Sequence, residues 1–246
     1  LNEGGTVELS GDASIRYEDN GCAFGGGTVH LRDQASVSGH VTWDEVANSV
    51  SAQARFRIAP QAGQTAVVTV DDDASLAMSG SQVMFYVNCN AANSRAILNW
   101  NSSQTLNAPN TFAVGYVNGY AEVNLTRGQL IGGAYGFRVA QPGGNPTDVN
   151  CVTGVVNMTG SVQMSNVSNA LSRLTIAGGE FNMTGGEVVM FAEDWQGTNE
   201  DKSYVTNSVA EVVLDGGVLK TKRIRRHPNT TSKARITFNG GTLQPI

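Results

Sequence analysis

One module recurs along these 246 residues and narrows what they can build. It is plainest near the C-terminal end, in AEVVLDGGVLKTKRIRR (210–226) and ARITFNGGTLQPI (234–246). Each copy carries two apolar residues two apart, a Gly-Gly turn, and a further apolar residue five positions on. The same phase is found at Val7/Leu9, Val29/Leu31, Val68/Val70, Leu98/Trp100, Val123/Leu125, Val156/Met158, Leu174/Ile176, Val212/Leu214 and Ile236/Phe238. The residues between are mostly polar, among them Glu8, His30, Thr69, Asn99, Asn124, Asn157 and Thr175. A period of two is that of a strand with one buried face.

The next apolar position follows at Ile15, Val37, Leu76, Leu106, Leu130, Met164, Phe181, Leu219 and Leu243. The links hold D-A-S, R-G, G-G or D-G-G, residues that accept positive φ or build side-chain turns. The longest copies resolve into three runs and two corners, as in LTI-AGG-EFNM-TGG-EVVMFAE (174–193) and VVTV-DDD-ASLAM-SGS-QVMFYVN (67–88). Such a unit cannot cover its own apolar face, whereas stacked units form a continuous interior. The expected fold is therefore all-β: a single parallel β-helix (β-solenoid) over 1–246, with about three strands per coil and loops inserted at one corner. An antiparallel sandwich also has short strands with Gly turns, but nothing here alternates as hairpin partners would. The inserted loops fall near 18–27, 45–64, 89–95, 141–153, 194–209 and 227–233. Within 45–64, EVANSVSAQARFRI reads as a short helix in preference to a weakly alternating coil.

Charged residues make up only 15% of the chain, and the net charge of −5 argues against nucleic acid as the main partner. No run is long and apolar enough to insert in a membrane. Cys22, Cys89 and Cys151 form an odd set without C-x-x-C spacing, all in predicted loops, so both a disulfide and three free thiols stay open.

The stretch VVLDGGVLKTKRIRR with ITFNGGTLQPI, and LTIAGGEFNMTGGEV beside them, resembles the autotransporter-associated β-strand repeat of passenger domains in bacterial surface proteins. The resemblance covers the last third well and the first half loosely, where D-A-S replaces G-G. It implies a right-handed parallel β-helix, extracellular or at the cell surface, cut from a longer secreted polypeptide. It also departs from that pattern, since the chain ends in mid-coil at Gln244-Pro245-Ile246 with no membrane barrel.

The residues that could carry chemistry are few. Glu18-Asp19, Asp44-Glu45 and Glu193-Asp194 fall at or after third strands, and Asp71-Asp72-Asp73 occupies a turn. Stacked carboxylates could hold Ca²⁺, yet no D-x-D-x-D-G loop is present, so the expectation is no cofactor and no metal. His30, His40 and His227 lack ligand spacing. Polysaccharide lyases and glycoside hydrolases on β-helices need paired carboxylates or a base beside a metal. Arg138 and the pair Glu193/Asp194 are the only seeds for such a site, and Trp195 is the best-placed aromatic for stacking on a sugar ring. Trp100 replaces an inward Leu and is expected in the core. Lys220–Arg226 reads as a strand with a cationic outer face, able to meet acidic glycans. Six N-x-S/T sequons, at Asn101, Asn124, Asn157, Asn166, Asn182 and Asn229, fit a hydrated Asn/Thr wall. The expected function is structural or adhesive and non-catalytic, with glycans, a second copy or neighbouring fibre segments as partners. The alternative is a carbohydrate-active enzyme or glycan-binding module.

Overall fold

The structure, a computed structural model, describes residues 5–18, 22–41, 54–58, 60–80, 83–89, 93–108, 111–116, 119–132, 137–139, 146–151, 155–158, 161–165, 170–191, 206–226 and 231–246. These residues form strands and turns without a helix, so none of them belongs to a helix able to cross a membrane. The chain visits the same sheets in the same order again and again. Nine strands make the first sheet: Thr6–Leu9, Gly27–Leu31, Thr65–Val70, Ser94–Trp100, Gly119–Leu125, Pro146–Cys151, Leu171–Ile176, Val209–Leu214 and Lys233–Phe238. The second strand of each repeat builds a three-stranded sheet, Ser14–Glu18, Ser36–Val41 and Ser75–Gly80. From the fourth repeat it builds a six-stranded one, Thr105–Ala108, Gln129–Gly132, Val155–Met158, Glu180–Met183, Val218–Thr221 and Thr242–Pro245. The third strands are Cys22–Phe24, Ala54–Ile58, Val83–Cys89, Thr111–Tyr116, Phe137–Val139, Val162–Met164, Val188–Met190 and Ile224–Arg226. Every ladder is parallel, an arrangement consistent with a β-solenoid.

Register explains why the apolar pairs recur. Val7, Val29, Val68, Leu98, Val123, Val149, Leu174, Val212 and Ile236 stand in one column of the first sheet. Leu9, Leu31, Val70, Trp100, Leu125, Cys151, Ile176, Leu214 and Phe238 stand in the next. Trp100 is fully buried, and its Nε1 donates to the Gln104 carbonyl at 3.2 Å, satisfying the one polar atom of the ring. All the sheets feed one hydrophobic cluster, to which the third strands add a stack of Phe56, Phe85 and Phe112.

The D-A-S and G-G corners solve one backbone problem in two ways. Gly11, Asp33 and Asp72 all have positive φ (62, 60 and 54°) at matching corners. The Asp33 carboxylate accepts from the Gly11 N–H at 2.9 Å, and that of Asp72 accepts from the Asp33 N–H at 3.2 Å. Aspartate thus tolerates the left-handed conformation while capping the corner of the preceding repeat. In the later repeats glycine takes over at Gly128, Gly216 and Gly241.

Several expectations need correction. Residues 54–58, in the segment read as a helix, are a strand paired with Cys22–Phe24 and Val83–Cys89, while 45–53 lie outside the described residues. Cys22, Cys89 and Cys151 lie in strands and not in loops, and none is the register partner of another. The pair in the first sheet of the sixth repeat is Val149/Cys151, within a predicted loop; Val155–Met158 is that repeat's second strand. Glu18 closes a second strand, not a third. The run from Lys220 to Arg226 is not one strand: it turns a corner at Lys222–Arg223. Ile15, Ile236, Phe238 and Leu243 keep the register of the buried columns but are exposed on the first and last repeats, where no further strand covers them among the described residues.

Candidate functional site

The polar side chains between the apolar columns form continuous networks on the outside of the sheets. On the first sheet Asn124 donates to Asn99 Oδ1 at 2.9 Å, and Asn99 Nδ2 in turn donates to Thr69 Oγ1 at 3.3 Å. Glu122 lies beside this ladder and receives Tyr120 Oη at 2.8 Å, Asn124 Nδ2 at 3.0 Å and Arg95 at 3.2 Å. The Arg95 guanidinium also sits 4.8 Å over the Tyr120 ring. Burial would raise the Glu122 carboxyl, but these three donors more than offset it and hold it below the ordinary range.

Further carboxylates bind two or more donors. Glu211 takes Arg173 Nε at 3.0 Å, Arg235 at 3.5 Å and Thr237 Oγ1 at 3.3 Å. Burial again opposes ionisation there, and Arg173, Arg235 and Thr237 outweigh it, so its carboxyl too is lowered. Glu187 is held by Arg223 and by Arg225 at 2.7 Å; the Arg223 hydrogen bond is the main cause of its lowered carboxyl. Glu180 joins Lys220 Nζ and Asn182 Nδ2, both at 3.0 Å. At the corners, Asp71 binds His30 at 2.6 Å and Asn101 at 2.8 Å, and Asp73 binds Ser103. All of these ties except Glu180–Asn182, which lies within one strand, join neighbouring repeats.

A lowered carboxyl means that the unfolded chain takes up protons first on acidification. Glu122 and Glu211 therefore contribute stability that is present above their ordinary value of 4.5 and is lost as pH falls through their folded values. Thermal melts from neutral to acid pH are expected to show this as a falling midpoint. The double variant Glu122→Gln, Glu211→Gln is expected to flatten that acid limb by up to about 1 kcal/mol per carboxylate. An unchanged limb would mean that these ladders do not form.

Of the residues singled out from sequence, Arg138 occupies the third-sheet column between Ala113 and Gln163. Glu193, Asp194 and Trp195 lie outside the described residues, as do Asp19, Asp44, Glu45 and His227. The strand carrying Arg138 is separated by one strand from Val188–Met190, which precedes them. Among the described residues no three His, Cys, Asp or Glu side chains gather as metal ligands. A cleft of about 370 Å³ at the last repeat is lined by Lys222, Arg223, Ile224, Ile236, Leu243 and Pro245. Hydrophobic alternation missed the Glu122, Glu187 and Glu211 networks, because their members meet only once the repeats are aligned column by column. No family model, curated protein or solved structure matches this chain.

Proposed function

We propose that this chain is a non-catalytic structural or adhesive β-solenoid of a bacterial surface or secreted protein, working outside the cell. In this reading the strands wind as a right-handed parallel β-helix with about three strands per coil, the hand that parallel crossovers almost always take. The nine strands of the first sheet then span a rod of roughly 40 Å at about 4.8 Å per strand. The rod displays loops and an Asn/Thr-rich wall toward glycans or neighbouring segments of a fibre. One observation carries the proposal: the outer carboxylates Glu187 and Glu211 are each engaged by two or more donors from neighbouring repeats, and Glu122 by Arg95 of the preceding repeat together with Tyr120 and Asn124 of its own strand. A general acid or a nucleophile must offer a lone pair or a proton to substrate, whereas these groups are committed to holding the stack.

Incubation with a panel of acidic and neutral polysaccharides tests the reading. It expects retention of some of these polymers without cleavage. Release of reducing ends or unsaturated sugars would overturn it in favour of a carbohydrate-active enzyme.

A further inference from the structure

We infer that the junction between the third and fourth repeats is a joint built into the stack, where the rod bends and opens while the repeats on either side stay folded. This rests on the stacked-repeat reading proposed above and adds a conformational property to it. The first sheet crosses the junction unbroken, with 65–70 in register against 95–100. The third sheet crosses it between Val83–Cys89 and Thr111–Tyr116. The second sheet stops. Ser75–Gly80 ends its three-stranded part and Thr105–Ala108 begins the six-stranded one, so these two strands lie side by side without a ladder between them.

Two local features account for the break. In the earlier repeats the N–H that opens a second strand donates to the repeat before it, Ser36 to the Ala13 carbonyl at 2.9 Å and Ser75 to that of Ala35 at 3.0 Å. At the fourth repeat the matching acceptor, the Ala74 carbonyl, is bound by the buried Ser102 hydroxyl at 2.6 Å. The Gln104 N–H closes back on that same hydroxyl at 3.1 Å. The path of the coil changes as well. Second strands hold five or six residues before the junction and four after it. The buried Leu76 and Phe85 are nine residues apart, whereas Leu106 and Phe112 are six apart. Coils of unequal path cannot keep register along all three sheets at once. Trp100 fills the step: it is the largest of the fully buried side chains, in a column where its neighbours are Val70 and Leu125.

The junction is closed at rest, because Leu76 and Leu106 are only 2 and 1% exposed. Apolar contact is non-directional and tolerates a change of angle, whereas a ladder of backbone hydrogen bonds fixes one. Every other step of the second sheets carries such a ladder. Opening the stack at this step breaks none of them, so among the inner repeats local opening starts here. The continuous first and third sheets serve as hinge lines. A rod built this way yields at one fixed place instead of unwinding from an arbitrary repeat.

Native-state hydrogen exchange of the full chain, read by mass spectrometry, tests this together with thiol trapping at two buried sites. Leu106→Cys and Leu130→Cys remove the same side chain from adjacent strands of one column, the first at the joint and the second with a ladder on each side. Without denaturant, the thiol at 106 is expected to react with an alkylating reagent at least about tenfold faster than that at 130. Peptide mapping separates both from Cys22, Cys89 and Cys151. In the unaltered chain the amides of Thr105–Ala108 are expected to exchange faster than those of Gln129–Gly132 by about the same factor, which keeps the inference testable if either variant fails to fold. Equal trapping at 106 and 130 would overturn the joint, as would equal exchange in the two wild-type strands. If Thr65–Val70 and Ser94–Trp100 are protected in that experiment, the stacked reading stands whatever the joint does; loss of protection there would remove the stack itself.

Discussion

Replacing Phe85 with alanine is expected to cost about 3–5 kcal/mol of folding free energy, the range for a buried aromatic emptied from a packed core. Phe85 is fully buried and lies between Phe56 and Phe112, with ring centroids 4.6 and 5.1 Å away and planes inclined by 22 and 14°. These rings occupy one column, because Phe56 pairs with Phe85 and Phe85 with Phe112 in register. Removing the middle ring strands both neighbours at once, and main-chain hydrogen bonds on each side prevent the strands from closing the gap. Phe238→Ala serves as the control. The same residue type in the same fold, but more than half exposed, is expected to cost less than about 1 kcal/mol. Denaturant midpoints of the two variants measure the difference. Equal effects would mean that the column of rings is not interior.

The second large effect is expected at a corner. Gly128 has φ +69°, and a Cβ there would press on the Ser102 carbonyl oxygen and lie 2.6 Å from that of Gln104. Gly128→Ala therefore adds left-handed strain to a clash with backbone that belongs to the ladder below. A loss of roughly 2–4 kcal/mol is expected. Gly63→Ala is the informative comparison. Its φ of +77° imposes the same strain, but a Cβ would meet nothing within 4 Å. It should lose only about 1–2 kcal/mol. The difference between the two melting midpoints isolates the stacking contact. If Gly128→Ala were no worse than Gly63→Ala, the corners would not be packed on one another.

Much of this fold was legible because stacking repeats the same demand at every level. Val212, Leu214 and Leu219 had to face inward, and all three are fully buried. The G-G and D-A-S links had to be corners, and their positive φ values lie there. What escaped was the sixth repeat. In QPGGNPTDVNC two prolines and paired glycines announce a loop, and only Val149 and Cys151 keep the alternation. Asp148, just before them, stands in the column of Glu122 and Arg173, and Asn150, between them, in that of Asn124 and Thr175. A polar strand can be specified by the columns above and below it, which no reading along the chain alone can count. The basic run from Lys220 misled for a related reason. Thr221 turns into the buried corner and donates to the Arg223 carbonyl, so the alternation of Lys and Thr changes face part-way. The outer networks were invisible for the same cause: Glu122 and Arg95, like Glu211 and Arg173, become neighbours only through register.

The sixth repeat also offers the most direct test of parallel, register-ordered stacking. Residues 148 and 173 are register partners on adjacent strands, whereas an alignment by apolar pairs alone would put 155 beside 173. Cysteine pairs Asp148→Cys with Arg173→Cys, and Val155→Cys with Arg173→Cys, can be oxidised and mapped by peptide mass spectrometry. A disulfide needs Cα atoms about 4.4–6.8 Å apart, which neighbouring strands provide at about 4.8 Å. Ready cross-linking of 148 to 173, with little of 155 to 173, is the result that stacked parallel repeats predict. Preferential linkage of 155 to 173 would contradict them.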